Sequence, residues 1–222
     1  MAQVWHDLLF AHWPVAFESL RPLVPPQLAL ERFESQCWVG VVPFWMSGVR
    51  ARGMPAIPGL SRFPELNVRT YVTCGEKPGV YFFSLDAGSR MAVWGARAVY
   101  YLPYFFAEMK ADYAGDEILY RSKRRTQQAE FRGRYRPRTL VEQRTPGTLA
   151  HWLTERYCLY AVHRDVVYRG EIHHASWPLQ DASAQIEVNS MAAAAGISLP
   201  DTKPLLHFSK RQDVLVWPLR KG

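Results

Sequence analysis

The chain has 222 residues, 48% of them hydrophobic and 21% charged, which fits one soluble globular domain over residues 1–222. Its formal net charge of +7 is local: residues 121–144 hold nine Lys/Arg against two Glu, and the rest of the chain is neutral. Three widely spaced cysteines, Cys37, Cys74 and Cys158, argue against a disulfide framework and a thiolate zinc site, and no apolar run reaches the length of a membrane span.

The N-terminal "MAQVWHDLLFAHWP" has no basic start and no long apolar core, so it does not read as a signal peptide. Pro14 opens a first helix over about residues 15–22, which "PLVPP" closes. "SQCWVGVVPFWMSGV" reads as a buried strand bent at Pro43. Residues 50–64 form a Gly/Pro loop, a candidate lid or rim. "ELNVRTYV" alternates: Glu65, Asn67, Arg69 and Tyr71 share one face, and Leu66, Val68, Thr70 and Val72 the other. "VYFFSLDA" pairs with it as a hairpin.

"GSRMAVWGARAVYYLPY" predicts a helix with a proline stop, and residues 118–140 two strands. In the second of these, Arg132, Arg134, Arg136 and Arg138 alternate with Phe131, Gly133, Tyr135 and Pro137. Thr145 N-caps a helix that starts at Pro146, with Leu149, Trp152 and Leu153 as its buried stripe. "RYCLYAV" and "VVYRGEIHH" form a strand pair, "SMAAAAG" a short helix stopped by Gly196, and "PLLHFS" with "DVLVWPL" a final hairpin. Roughly ten strands and three or four short helices predict a mainly β (α+β) fold, a mostly antiparallel barrel or wrapped sheet.

Three groups carry candidate chemistry. Strand alternation sends His173 to the polar face with Arg169 and Glu171, and His174 to the apolar face with Ile172. Adjacent imidazoles on opposite faces do not ligate one metal, and the seven histidines lack metal-ligand spacing, so no metal is expected. His174 is either a satisfied core histidine or a neutral imidazole facing a pocket. Glu65, Asn67, Arg69 and Tyr71 are either an ordinary solvent face or the wall of a cavity. The four arginines of the basic strand read as a solvated edge or oligomer surface. Phe131 and Tyr135 lie on the opposite face and cannot stack on the same nucleic acid, which makes that partner the lesser alternative.

Six runs, "LLFAHWPV", "FPELNVRTYV", "GVYFFSLDA", "GARAVYYLPYF", "LTERYCLY" and "EIHHASWPLQ", together resemble the YqjF-like family of uncharacterised bacterial proteins, which is similar in fold to acetoacetate decarboxylase. The resemblance implies a closed, mainly antiparallel acetoacetate decarboxylase-like β-barrel around an internal cavity, flanked by a few short helices. The decarboxylase's lysine pair is replaced here by Tyr104-Phe105, and none of the six lysines lies in an apolar stretch that would depress its pKa. Schiff-base chemistry is therefore not expected, with Lys110 as the residual candidate. Glu65 matches the decarboxylase's pocket glutamate, and the resemblance places Arg97, Tyr101, Tyr104, Arg156 and His174 around it.

The expectation is a cytoplasmic cavity protein for a small oxo- or hydroxy-carboxylic compound, with no cofactor. Its acid/base residues would be Glu65, His174 and Tyr104, and its ligand-binding residues Asn67, Arg69, Arg97, Tyr101 and Arg156. Whether it catalyses a lyase-like or enolisation reaction or only binds its ligand stays open, as does a homo-oligomer.

Overall fold

In the computed structural model, which describes residues 1–51, 53–55 and 61–222, the chain enters on a 14-residue strand, β1 (Ala2–Val15). A single turn of helix, α1 (Phe17–Leu20), continues into a 3₁₀ turn at Arg21–Leu23. A short β2 (Ala29–Leu30) precedes β3 (Cys37–Arg50), β4 (Phe63–Cys74) and β5 (Lys77–Ala87). Then follow α2 (Arg90–Tyr100), β6 (Tyr104–Ala114), β7 (Glu117–Arg124), β8 (Glu130–Pro137) and α3 (Leu149–Thr154). The chain ends with β9 (Cys158–His163), β10 (Val166–His173), β11 (Gln180–Asn189), β12 (Leu205–Val216) and β13 (Arg220–Lys221).

The strands join one mixed sheet in the order β13-β10-β9-β5-β6-β7-β8-β11-β12-β1-β3-β4-β2. The closed antiparallel barrel expected from the sequence is corrected on two counts. The sheet is not closed into a barrel but has end strands, β13 and β2, and β5 runs parallel to both β6 and β9. It folds over on itself through two further pairings, β10 with β12 and β4 with β5. Edges are thus managed by folding over and by very short terminal strands.

Several local expectations are also revised. The helix placed at Thr145–Pro146 starts at Leu149, because the Thr148 side chain accepts from the His151 amide and is the true N-cap. The first helix is one α turn and one 3₁₀ turn, ended by the prolines that follow. The terminal hairpin is instead the single strand β12, with Lys210, Arg211 and Gln212 inside it. Residues 56–60 and 52, the centre of the expected lid loop, lie outside the described residues.

The sheet has two interior faces. Leu66 and Val68 of β4, with Val39 and Val41 of β3 and Leu9 and Ala11 of β1, pack against Tyr120, Phe131 and Phe208 in the main apolar core. On the other face of β4, Glu65, Asn67 and Arg69 are 4%, 5% and 8% exposed. The solvent-face alternative for these three residues is therefore excluded.

Candidate functional site: a donor-lined cavity between the sheet and helix α2

A cavity of about 90 Å³, measured for the centre of a water-sized sphere, lies on that second face. One water needs roughly 10–15 Å³ on this scale, so the space admits a small organic molecule of a handful of atoms. Its walls follow the strand period of two: Val42, Phe44 and Met46 on β3, and Glu65, Asn67 and Arg69 on β4.

On two strands the period breaks, each time at a bulge. On β1 the inward residues are Gln3 and Trp5 and then Leu8, because the β1–β3 register slips between His6 and Ala11, where Asp7 takes φ 51°. On β5 they are Val80 and Phe82 and then Leu85, because the β4–β5 register slips between Val68 and Arg69 and leaves Phe83 as the extra residue. Each bulge shifts the alternation by one and keeps apolar side chains aimed at the cavity. Helix α2 covers one side with Ala96 and Tyr100, while Leu102 and Tyr104 enter from the segment after it.

Of the residues singled out from sequence, Glu65, Asn67, Arg69, Tyr104, Arg156 and His174 all line this one cavity. Arg97 and Tyr101 do not. Arg97 is exposed and donates from Nε to the Tyr104 carbonyl at 2.6 Å. Tyr101 adopts φ 50° after α2 and stacks on His163 with ring centroids 4.3 Å apart. The helix thus turns these two side chains away from the side on which Ala96 and Tyr100 sit. Tyr71 lies just beyond the cavity wall, its hydroxyl 2.8 Å from the Leu153 carbonyl and 2.7 Å from His12 Nε2.

The cavity's electrostatics come from burial. Desolvation raises the Glu65 pKa to about 8, against a stabilising hydrogen bond from the Tyr104 hydroxyl at 2.7 Å, so Glu65 is protonated at neutral pH. Burial likewise pushes the Tyr104 phenol well above its ordinary value, aided by Glu65. His174 is pushed down by burial and is a neutral imidazole. Its Nδ1 lies 2.8 Å from the Ala175 carbonyl, which places the proton there and the lone pair on Nε2. The ring stacks on Tyr157 at 4.7 Å and lies 5.1 Å from Trp177.

The two arginines differ. Arg156 donates from Nη1 to Glu31 at 2.8 Å and from Nε to the Trp152 carbonyl at 2.8 Å. Arg69 makes a 3.4 Å contact to the Leu153 carbonyl and lies over Phe10 and Tyr71, and it has no carboxylate partner among the described residues. A guanidinium stays charged in any such setting. Five lining residues also hold a buried polar atom without a partner among the described residues: Trp5 Nε1, Trp177 Nε1, Arg69 Nε, Arg156 Nη2 and Asn67 Oδ1. Four of these are donors.

No lysine belongs to the lining. Lys110 is 62% exposed on β6 and pairs with Asp112 at 2.7 Å. Among the described residues, no three His, Cys, Asp or Glu side chains cluster as a metal site, and no helix is long and apolar enough to cross a membrane. Sequence reasoning missed Trp5, Gln3 and Tyr100 as wall residues. The alternation in "AQVWH" was a signal for the first two, but β1 was not identified as a strand.

The family model of DUF2071, an uncharacterized conserved protein, matches residues 2–213. Over all 222 residues the chain is 52% identical to the uncharacterized protein YqjF of Bacillus subtilis (strain 168), covering 92% of that protein. Among solved structures it is similar to acetoacetate decarboxylase from Legionella pneumophila, with TM-score 0.68, 12% identity, and coverage of 100% of this chain and 87% of that one. It is also similar to the enduracididine biosynthesis enzyme MppR complexed with pyruvate, with TM-score 0.70, 8% identity, and coverage of 99% and 89%. These two likenesses establish a shared fold.

Proposed function

This chain belongs to the DUF2071 family, and we propose that its cavity binds a small oxo- or hydroxy-carboxylic compound and supports acid/base chemistry on it without a Schiff base. The observation that carries this reading is Arg69: a buried guanidinium with no carboxylate partner among the described residues, in a wall whose other unpartnered polar atoms are mostly donors. Leaving such a charge unpaired is costly, and a ligand carboxylate offsets that cost with a bidentate hydrogen bond. That MppR, a protein of this fold, has a solved structure complexed with pyruvate, a 2-oxo acid, is consistent with the reading.

In this arrangement Arg69 and Asn67 hold the carboxylate. Protonated Glu65, held in place by the Tyr104 hydroxyl, hydrogen-bonds the ligand carbonyl and can deliver a proton to its oxygen as an enol forms. His174 Nε2 accepts the proton lost from the adjacent carbon. A lysine imine has no part in it, since the wall contains no lysine. The protein acts as a single domain in the cytoplasm, where its three free cysteines stay reduced.

A second reading, a binder without turnover, draws on the His174 contacts: Nδ1 also lies 3.3 Å from Gln212 Nε2, and Nε2 lies 3.4 Å from the Arg156 carbonyl. A histidine so surrounded can be purely structural. A nucleic-acid surface at residues 121–144 loses support, because Arg132 pairs with Glu187, Arg134 with Gln185 and Arg136 with Asp116.

Calorimetric titration with pyruvate, lactate and uncharged analogues such as acetone tests the reading. Binding of the acids alone, lost in Arg69→Gln, is the expected result. Equal binding of the uncharged analogues, or full affinity in Arg69→Gln, overturns it. Deuterium exchange into bound pyruvate that falls in His174→Ala while affinity persists separates catalyst from binder.

A further inference from the structure

We infer that Glu31 sets the charge class of the ligand: by neutralising Arg156 it leaves the cavity matched to a monocarboxylate rather than a dicarboxylate. This inference rests on the proposed carboxylate site and deepens it.

Glu31 is not itself a wall residue. It sits one residue past β2, in the strap that runs antiparallel along β4, and its side chain is 15% exposed. Two groups hold it: Arg156 Nη1 at 2.8 Å and the Thr73 hydroxyl on β4. Its backbone amide is also tied to the Tyr71 carbonyl at 3.0 Å, so the strap is registered against the same strand that carries Glu65 and Arg69. Arg156, 5% exposed at its side chain, is clamped from the other direction by the Trp152 carbonyl and packs over the Trp152 and Tyr71 rings. The pair is thus built into the structure at both ends.

Among the described residues the charged side chains that line the cavity are Glu65, Arg69 and Arg156, while the ammonium of Met1, also a wall residue, donates to the Val216 carbonyl at 2.6 Å. Arg156 and Glu31 cancel. Glu65 is neutral at pH 7 because burial holds its proton. Among these side chains one positive charge remains, on Arg69, and it can be matched by one carboxylate. A second carboxylate in the same small space has no second unpaired side-chain cation to face among the described residues and meets an Arg156 already held by Glu31, so its desolvation is poorly compensated. Specificity here comes from a repulsive element as much as from an attractive one. Removing the Glu31 charge would release Arg156, whose Nη2 already lacks a partner, as a second anion-binding group.

Pyruvate and oxalate separate charge from size, because they have the same number of heavy atoms and nearly the same shape and differ by one charge. Wild-type protein is expected to bind pyruvate more tightly than oxalate. Glu31→Gln is expected to shift the oxalate-to-pyruvate affinity ratio towards oxalate by about tenfold or more, the scale of one charge contact in a partly buried site. Glu31→Asp, which keeps the charge, should keep the wild-type ratio. An unchanged ratio in Glu31→Gln overturns the inference, while an Arg69-dependent affinity for pyruvate leaves the carboxylate site standing. If neither acid binds the wild-type protein, the site reading fails and this inference with it. If Glu31→Gln does not fold, the wild-type comparison still decides: oxalate bound as tightly as pyruvate overturns the proposal.

Discussion

The Tyr104 hydroxyl donates a 2.7 Å hydrogen bond to Glu65 Oε2, joining the first residue of β6 to a carboxyl buried on β4. The donor favours the ionised carboxyl, yet burial outweighs it and Glu65 titrates near pH 8. The free energy of leaving water therefore decides the charge state of the cavity, and one hydrogen bond moderates it.

This shift makes stability depend on pH. Unfolded, Glu65 titrates near 4.5, and folded near 8. Below the first value both states carry the proton. Between the two values the unfolded chain binds fewer protons than the native one, so stability falls as pH rises. Above the second value the loss is complete. Glu65→Gln removes this slope, which for a single group is at most about 1.4 kcal/mol per pH unit. Urea denaturation of both proteins from pH 5 to 9 checks it, and parallel stability curves would count against a protonated Glu65.

Tyr104→Phe removes the moderating donor. The Glu65 titration then moves above its wild-type position, because desolvation acts unopposed by that hydrogen bond. The carboxyl C=O stretch, followed by infrared difference spectroscopy as pH is raised, reads this directly. A midpoint that stays put or falls would show that the Tyr104 contact does not set the Glu65 charge.

Much of the cavity was legible from the alternation of "ELNVRTYV" and "EIHH", since a period of two assigns faces before any contact is known. Which face was wet was not legible, because Glu, Asn and Arg at alternate positions describe a solvent surface and a polar cavity wall equally well. The bulges at Asp7 and Phe83 were invisible for a related reason: an extra residue shifts the phase without changing composition. "YFFAEMKADYA" forms β6 without a legible apolar period, because Glu108 and Lys110 fall on its exposed face. The family resemblance assigns Arg97 and Tyr101 to the wall, and only the phase of α2 and the positive φ of Tyr101 just after it show that they turn outward. The end strands and parallel pairings of the sheet depend on long-range order that no local pattern encodes.

Gly79 lets β5 and β9 approach each other. A methyl group there would sit 2.6 Å from Cys158 Sγ and 2.8 Å from the Cys158 carbonyl oxygen, the latter a backbone atom. Gly79→Ala should destabilise the protein by about 1–3 kcal/mol through forced separation of the strands. Gly95, with open space around its Cβ direction, is the control: Gly95→Ala should be neutral or stabilising. Thermal melting of the two variants separates a packing limit from a general intolerance of glycine replacement.

Asp86 and Arg124 form the most deeply buried ion pair among the described residues, with side chains 0% and 2% exposed and Arg124 Nε 2.8 and 3.0 Å from the two carboxylate oxygens. Arg124 also lies 3.9 Å over the Phe105 ring, so the pair anchors β7 to β5 beside the start of β6. Burial raises the Asp86 pKa even with this partner present. Arg124→Met leaves the carboxyl buried without a cation and should cost about 3–5 kcal/mol at neutral pH. The Asp86 pKa then rises further, so the folded protein holds a proton that the unfolded chain, titrating near 3.8, releases. Stability relative to wild type is therefore restored as pH falls towards that value and lost as pH rises through the new folded pKa. The double variant Asp86→Asn with Arg124→Met should recover part of the loss at neutral pH, because no charge is left stranded. Chemical denaturation of the single and double variants at pH 4 and 7 tests both steps, and a penalty independent of pH would show that lost packing of the Arg124 stem, rather than the stranded carboxylate, is responsible.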